Sequence, residues 1–62
     1  MNQEISQYIN GTRTATVYSR THGGYRVVML DAYFETESVQ FTQTEQEAEN
    51  LAEDWVMGHD AV

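Results

Sequence analysis

Cysteine, proline and lysine are all missing from this chain of 62 residues. Without cysteine there is no disulfide to staple a small fold and no thiolate to hold a metal. Without proline the strongest breaker is gone, so Gly11, Gly23, Gly24 and Gly58 carry the punctuation. Without lysine, Arg13, Arg20 and Arg26 alone stand against ten acidic residues, and the net charge is −7. Nucleic-acid affinity comes mostly from cations that release phosphate counterions, so this balance disfavours nucleic acid and anionic membranes and steers the chain towards basic protein surfaces. No apolar run approaches the ~20 residues that span a bilayer. The start, MNQEISQYI, has neither the basic end nor the apolar stretch of a secretory signal. A cytoplasmic location, of a cell or of an infected host cell, is the expectation.

What is present suffices for one small domain. The hydrophobic share is 40%, too high for a disordered acidic tail. A chain this short hides only about 60% of the surface its unfolded form exposes, so a tight core or self-association must supply the rest.

The clearest local signal runs from Phe41 to Gly58, FTQTEQEAENLAEDWVMG. Thr44 and Glu47 have the spacing of a capping box. Ala48, Leu51, Ala52 and Trp55 recur on one helical stripe, and Gly58 sits where a left-handed terminator belongs. These features predict a helix over 44–57. Its other side stacks Glu45, Glu49 and Glu53 at i,i+4, beside Asp54, with no basic residue on the helix. Such like-charge pairs mildly destabilise a helix, and acid near its C-terminal end opposes the helix dipole. A local rule broken without structural gain marks Glu45, Glu49, Glu53 and Asp54 as candidate partner-binding residues. Acids arrayed along a rigid helix can imitate a row of phosphates towards a basic cleft.

The preceding residues read as a β-meander over 12–42. Thr12 to Arg20 is β-branched and aromatic, Tyr25 to Ala32 is the most apolar run, and Ser38 to Thr42 is short. Turns are expected at Thr21–Gly24 and Glu35–Glu37. Residues 1–11 fit either a short helix or an edge strand joined through an Asn10-Gly11 hairpin, and the strand is the favoured reading. The fold class is therefore α+β: a three-stranded antiparallel sheet, four-stranded if the N-terminal edge strand forms, with one C-terminal helix on one face. A two-residue turn at His22-Gly23 would set Val17 opposite Val28 and Ala15 opposite Leu30. Alternation then places Ala15, Val17, Val28, Leu30, Val39 and Phe41 under the helix. It leaves Tyr18, Arg20, Tyr25, Val27 and Met29 on the uncovered face. Of these, Tyr18, Arg20, Tyr25 and Met29 join the acids as candidate partner contacts, and a bare apolar face also suggests a homodimer.

Nothing in the sequence specifies catalysis, a cofactor or a metal. The histidines, His22 in a turn and His59 beside Asp60, lack a neighbouring nucleophile, and a structural metal site needs four ligands. Asp31, Glu35 and Glu37 have no calcium-loop spacing.

One resemblance stands beside this reading. Gly24-Tyr25-x-Val27, followed by Phe41 and Glu45-x-Glu47-Ala48-x-x-x-Ala52-x-x-Trp55, resembles the β-β-β-α arm-binding domain at the N-terminus of phage integrases, a pattern shared by small phage and bacterial proteins. The resemblance covers about half the chain and implies the same fold order and a phage-like origin. It also implies DNA binding through a basic sheet, which here would fall to Arg13, Arg20 and Arg26. The two functions to be weighed are a small acidic, non-enzymatic protein-binding protein, such as a phage accessory or inhibitor, and a nucleic-acid-binding module.

Overall fold

The computed structural model describes residues 3–58; His59 and Asp60 lie outside them. The chain runs β1 (Gln3–Asn10), β2 (Arg13–Ser19), β3 (Tyr25–Asp31), β4 (Thr36–Thr42) and α1 (Glu45–Met57). The strands form one antiparallel sheet in chain order, and α1 crosses one face of it, chiefly over β2 and β3. This is the expected α+β architecture with the fourth strand present.

The helix begins and ends as its sequence predicts. The Thr44 hydroxyl accepts from the Glu47 amide, and the Glu47 carboxylate accepts in return from the amides of Gln43 and Thr44. Gly58 closes the last turn at φ 76°, its amide donating to the Asp54 and Trp55 carbonyls. The buried stripe is Ala48, Ala52 and Val56, with Leu51 and Trp55 half-buried at its margin. Small alanines bring the helix close to the sheet, where they meet Ala15, Val17, Val27 and Met29.

Met29 and Val27 correct the expected register. Val17 pairs with Val27 and Ala15 with Met29, one residue away from the expectation. The cause is the β2–β3 connection. Arg20 donates to the Gly24 carbonyl across a three-residue loop, with Gly23 and Gly24 at φ 102° and 80°. A three-residue loop in which glycine takes up positive φ changes the pairing by one and turns every β3 side chain to the other face. Tyr25, Val27 and Met29 therefore lie beneath α1, whereas Val28, Leu30, Val39 and Phe41 lie on the open face. Tyr18 and Arg20 keep the open side expected for them.

Two turns also shift. The β1–β2 link is Gly11–Thr12, since Asn10 pairs with Arg13. The β3–β4 link is the four residues 32–35, because Asp31 Oδ1 accepts from the Tyr33 and Phe34 amides at 3.0 and 3.4 Å and bends the chain at once. Thr36 and Glu37 consequently belong to β4. Glu35 ends this loop at φ 56° without being glycine. Left-handed backbone disfavours a residue with a Cβ by about 1–2 kcal/mol, and glycine's extra unfolded freedom offsets part of that. Glu35→Gly should therefore stabilise the domain by about 0.5–1 kcal/mol, visible as a higher melting temperature; a lower one would show that the Glu35 side chain contributes more than its backbone strain removes.

Candidate functional site

Pairing along the sheet turns the open face into a grid. One row reads Glu4, Tyr18, Arg26, Phe41; the next Gln7, Thr16, Val28, Val39; the third Ile9, Thr14, Leu30, Glu37. Among the described residues no element covers this face. Ile9 is 67% exposed, Phe41 59%, Leu30 42% and Val39 41%. Apolar side chains exposed together on one face of a sheet mark a site of contact. An open hollow of about 400 Å³ adjoins its third row, lined by Thr14, Leu30, Glu35 and Glu37 among others.

The cations of this face are held in an unusual way. The Arg26 guanidinium lies 4.9 Å from the Tyr18 ring centre, and Arg20 lies 4.8 Å from that of Phe41. Among the described residues neither pairs with a carboxylate, although acids outnumber arginines by more than three to one. Arg26 Nε is buried and has no hydrogen-bond partner among the described residues. Stacking on the ring faces thus replaces ion pairing as the means of keeping both charges on the apolar surface.

Arg13 behaves differently and leaves the candidate set. It sits on the helix side, where its Nε is 3.4 Å from Asp31, its Nη1 donates to the Trp55 carbonyl at 2.6 Å, and its guanidinium lies 5.0 Å from the Trp55 ring centre. It is a clamp for the end of α1. Burial pushes the Asp31 carboxyl up, but hydrogen bonds from the Thr12 hydroxyl, the Phe34 and Tyr33 amides and Arg13 outweigh it and hold the group below its ordinary range.

The acidic helix is also less uniform than its sequence suggests. Glu45, Glu53 and Asp54 are exposed, but Glu49 is half-buried and turned towards β1. Its carboxylate accepts from Ser6 Oγ at 2.6 Å and from the Tyr8 hydroxyl. Asn10 Nδ2 completes the seam by donating to the Val56 carbonyl at 2.8 Å. The Tyr8 hydroxyl is pushed up to about 12 by its bond to Glu49, by burial, and by the negative charges of Glu49 and Glu53. Because the folded value is the higher one, its contribution is complete below the ordinary value of 10.0 and is lost as pH climbs through about 12. Tyrosinate absorbance should show Tyr8 titrating near 12, and Glu49→Gln should bring it back towards the ordinary range; no change in that variant would mean that Glu49 does not hold the hydroxyl.

The candidate contacts are therefore split. Glu45, Glu53 and Asp54 belong to α1 on one side of the sheet, and Tyr18 and Arg20 to the open face on the other. Tyr25 and Met29 belong to neither surface: Tyr25 is half-buried and Met29 only 4% exposed beneath the helix. Arg26 was a candidate only through the implied DNA binding, and Leu30 was not one, because the side each faces depends on a single residue of loop length; Ile9 was not one because residues 1–11 fitted a helix as well as a strand.

Among the described residues, no group of three His, Asp or Glu is placed to hold a metal ion. No described helix is long and apolar enough to cross a membrane. Compared with protein-family models, curated proteins and solved structures, the chain matches none. Its element order is compatible with the β-β-β-α arrangement of the integrase arm-binding domain, preceded by one further strand.

Proposed function

We propose that this chain is a small non-enzymatic protein-binding module that docks through the open face of its sheet, as a phage accessory protein or inhibitor would. The supporting observation is the uncovered grid in which Ile9, Leu30, Val39 and Phe41 are exposed together. Burying such side chains is worth roughly 1.5–3 kcal/mol each, so a partner of matching shape gains affinity from a rigid, preformed surface. The acids of α1 point to the other side, where they keep the domain soluble and orient its approach to a basic partner. Acidic mimicry of DNA has less support, since Glu49 is occupied by Ser6 and Tyr8.

The test compares proteins retained by the native chain with those retained by two variants. Ile9→Glu with Leu30→Glu should lose the specific partner, and Glu53→Gln with Asp54→Asn should keep it. The reverse pattern would assign binding to the helix. A second reading, nucleic-acid binding, draws on the stacked pairs Tyr18–Arg26 and Phe41–Arg20, since aromatic rings with arginine are what single strands stack upon. Anisotropy of a labelled single strand decides it: tight binding with a steep salt slope, lost in Arg26→Gln, would favour this reading over the first.

A further inference from the structure

The two edges of the sheet are protected unequally. β1 carries a register irregularity between Glu4 and Ser6, a bulge that disrupts further pairing along that edge. β4 pairs with β3 in unbroken register from Thr36 to Asp31 through Thr42 to Tyr25, and has no proline, no bulge and a single charge, Glu37. All of β4 except the half-buried Thr42 is exposed, and α1 packs over it least of all the strands.

The direction of its free backbone groups follows from the ladder. The Arg20–Gly24 bond sets the even-numbered residues of β3 to bond with β2 and the odd-numbered ones with β4. In β4 the even-numbered residues therefore bond to β3. Glu37, Val39 and Phe41 turn their amides and carbonyls outwards, and no described hydrogen bond outside the ladder uses them.

We infer that β4 is the interface for a second copy of this chain, joined antiparallel about a twofold axis at Gln40 to make one continuous eight-stranded sheet. Only pairings that keep odd residues opposite odd ones preserve the two faces. Centring on Gln40 sets Val39 opposite Phe41 of the second copy and Phe41 opposite its Val39, an aromatic with a β-branched residue in both pairs. On the other face Ser38 meets Thr42 of the second copy. Centring on Val39 would instead set Glu37 against Phe41, and centring on Phe41 would leave Val39 without an apolar partner. In the Gln40 register, Glu37 of the second copy is the diagonal neighbour of Phe41, within reach of Arg20, which stacks on that ring and pairs with no carboxylate of its own chain among the described residues. The −7 charge of each chain does not prevent this. Both helices lie on one side of the joined sheet, roughly 20 Å apart at ordinary strand spacing, beyond the screening length of about 8 Å at physiological salt. The joined sheet doubles the open face without using its exposed side chains on β1 and β3, so it stands whatever that face binds.

Sedimentation equilibrium across a dilution series is the test. The native chain should sediment at twice 7.1 kDa and dissociate on dilution. Gln40→Lys and Gln40→Glu each place like charges face to face at the axis, and each should be monomeric over the same range. An equimolar mixture of the two should regain the dimeric mass, because opposite charges then meet. Ile9→Lys, on the open face but far from β4, should remain dimeric. A native chain monomeric at every concentration would overturn the proposal. So would a dimer that survives Gln40→Lys and disappears with Ile9→Lys, which would mean pairing through the open faces.

Discussion

Val27→Asp should abolish cooperative folding, whereas Val28→Asp should leave a folded domain. The two residues are neighbours of the same type, yet Val27 is fully buried beneath α1 and Val28 is half-buried on the open face. Replacing Val27 forfeits roughly 1.5–3 kcal/mol of apolar burial and adds the several kcal/mol needed to desolvate a carboxylate. Together these match or exceed the stability of a domain this small, at about 0.05–0.15 kcal/mol per residue. At Val28 the carboxylate reaches water and the penalty should be about 1–2 kcal/mol. Circular dichroism with thermal melts reads both. A folded Val27→Asp beside an unfolded Val28→Asp would mean that the β2–β3 pairing is one residue away from that described.

Trp55→Ala should lower stability by about 3 kcal/mol, the smaller end of the range for truncating a large aromatic. The ring is half-buried at the margin of the core, so less area is lost than at a central site. The remainder comes from Arg13, which loses the ring it lies over while keeping its bond to the Trp55 carbonyl. Urea unfolding followed by circular dichroism gives the change directly. A midpoint unmoved by the substitution would show that α1 is seated by its alanines alone.

These two expectations mark where the sequence was informative and where it was silent. Thr44, Glu47 and Gly58 defined the helix because caps are local chemistry that needs no tertiary context. The helix side of β2 was legible because Ala15 and Val17 alternate with polar residues. β3 was not, since Val27, Val28, Met29 and Leu30 are apolar on both sides and a period of two cannot choose between them. The choice passed to the loop, where one residue more than a two-residue turn reversed the faces. Val56 was missed although it continues the Ala48–Ala52 spacing by one further turn. Glu49 looked like its neighbours Glu45 and Glu53 because its partners, Ser6 and Tyr8, lie more than forty residues away. Arg20 and Arg26 could be placed on strands from sequence, but their stacking depends on which ring the pairing brings beneath them.

The seam between α1 and β1 has a consequence for the order in which the molecule assembles. Each β-hairpin joins residues close in the chain, and such local contacts form early because little loop entropy opposes them. The Glu49 bonds to Ser6 and Tyr8, and the Asn10 bond to the Val56 carbonyl, span 43, 41 and 46 residues. They form only once the sheet exists and the helix has come down upon it. Substitutions along the seam, such as Asn10→Ala, should therefore hasten unfolding and leave the refolding rate nearly unchanged. Stopped-flow measurement of both limbs in denaturant would show it, and a slowed refolding limb would instead place the seam in the folding nucleus. The edge that ties the helix down is then the first part of the molecule to let go.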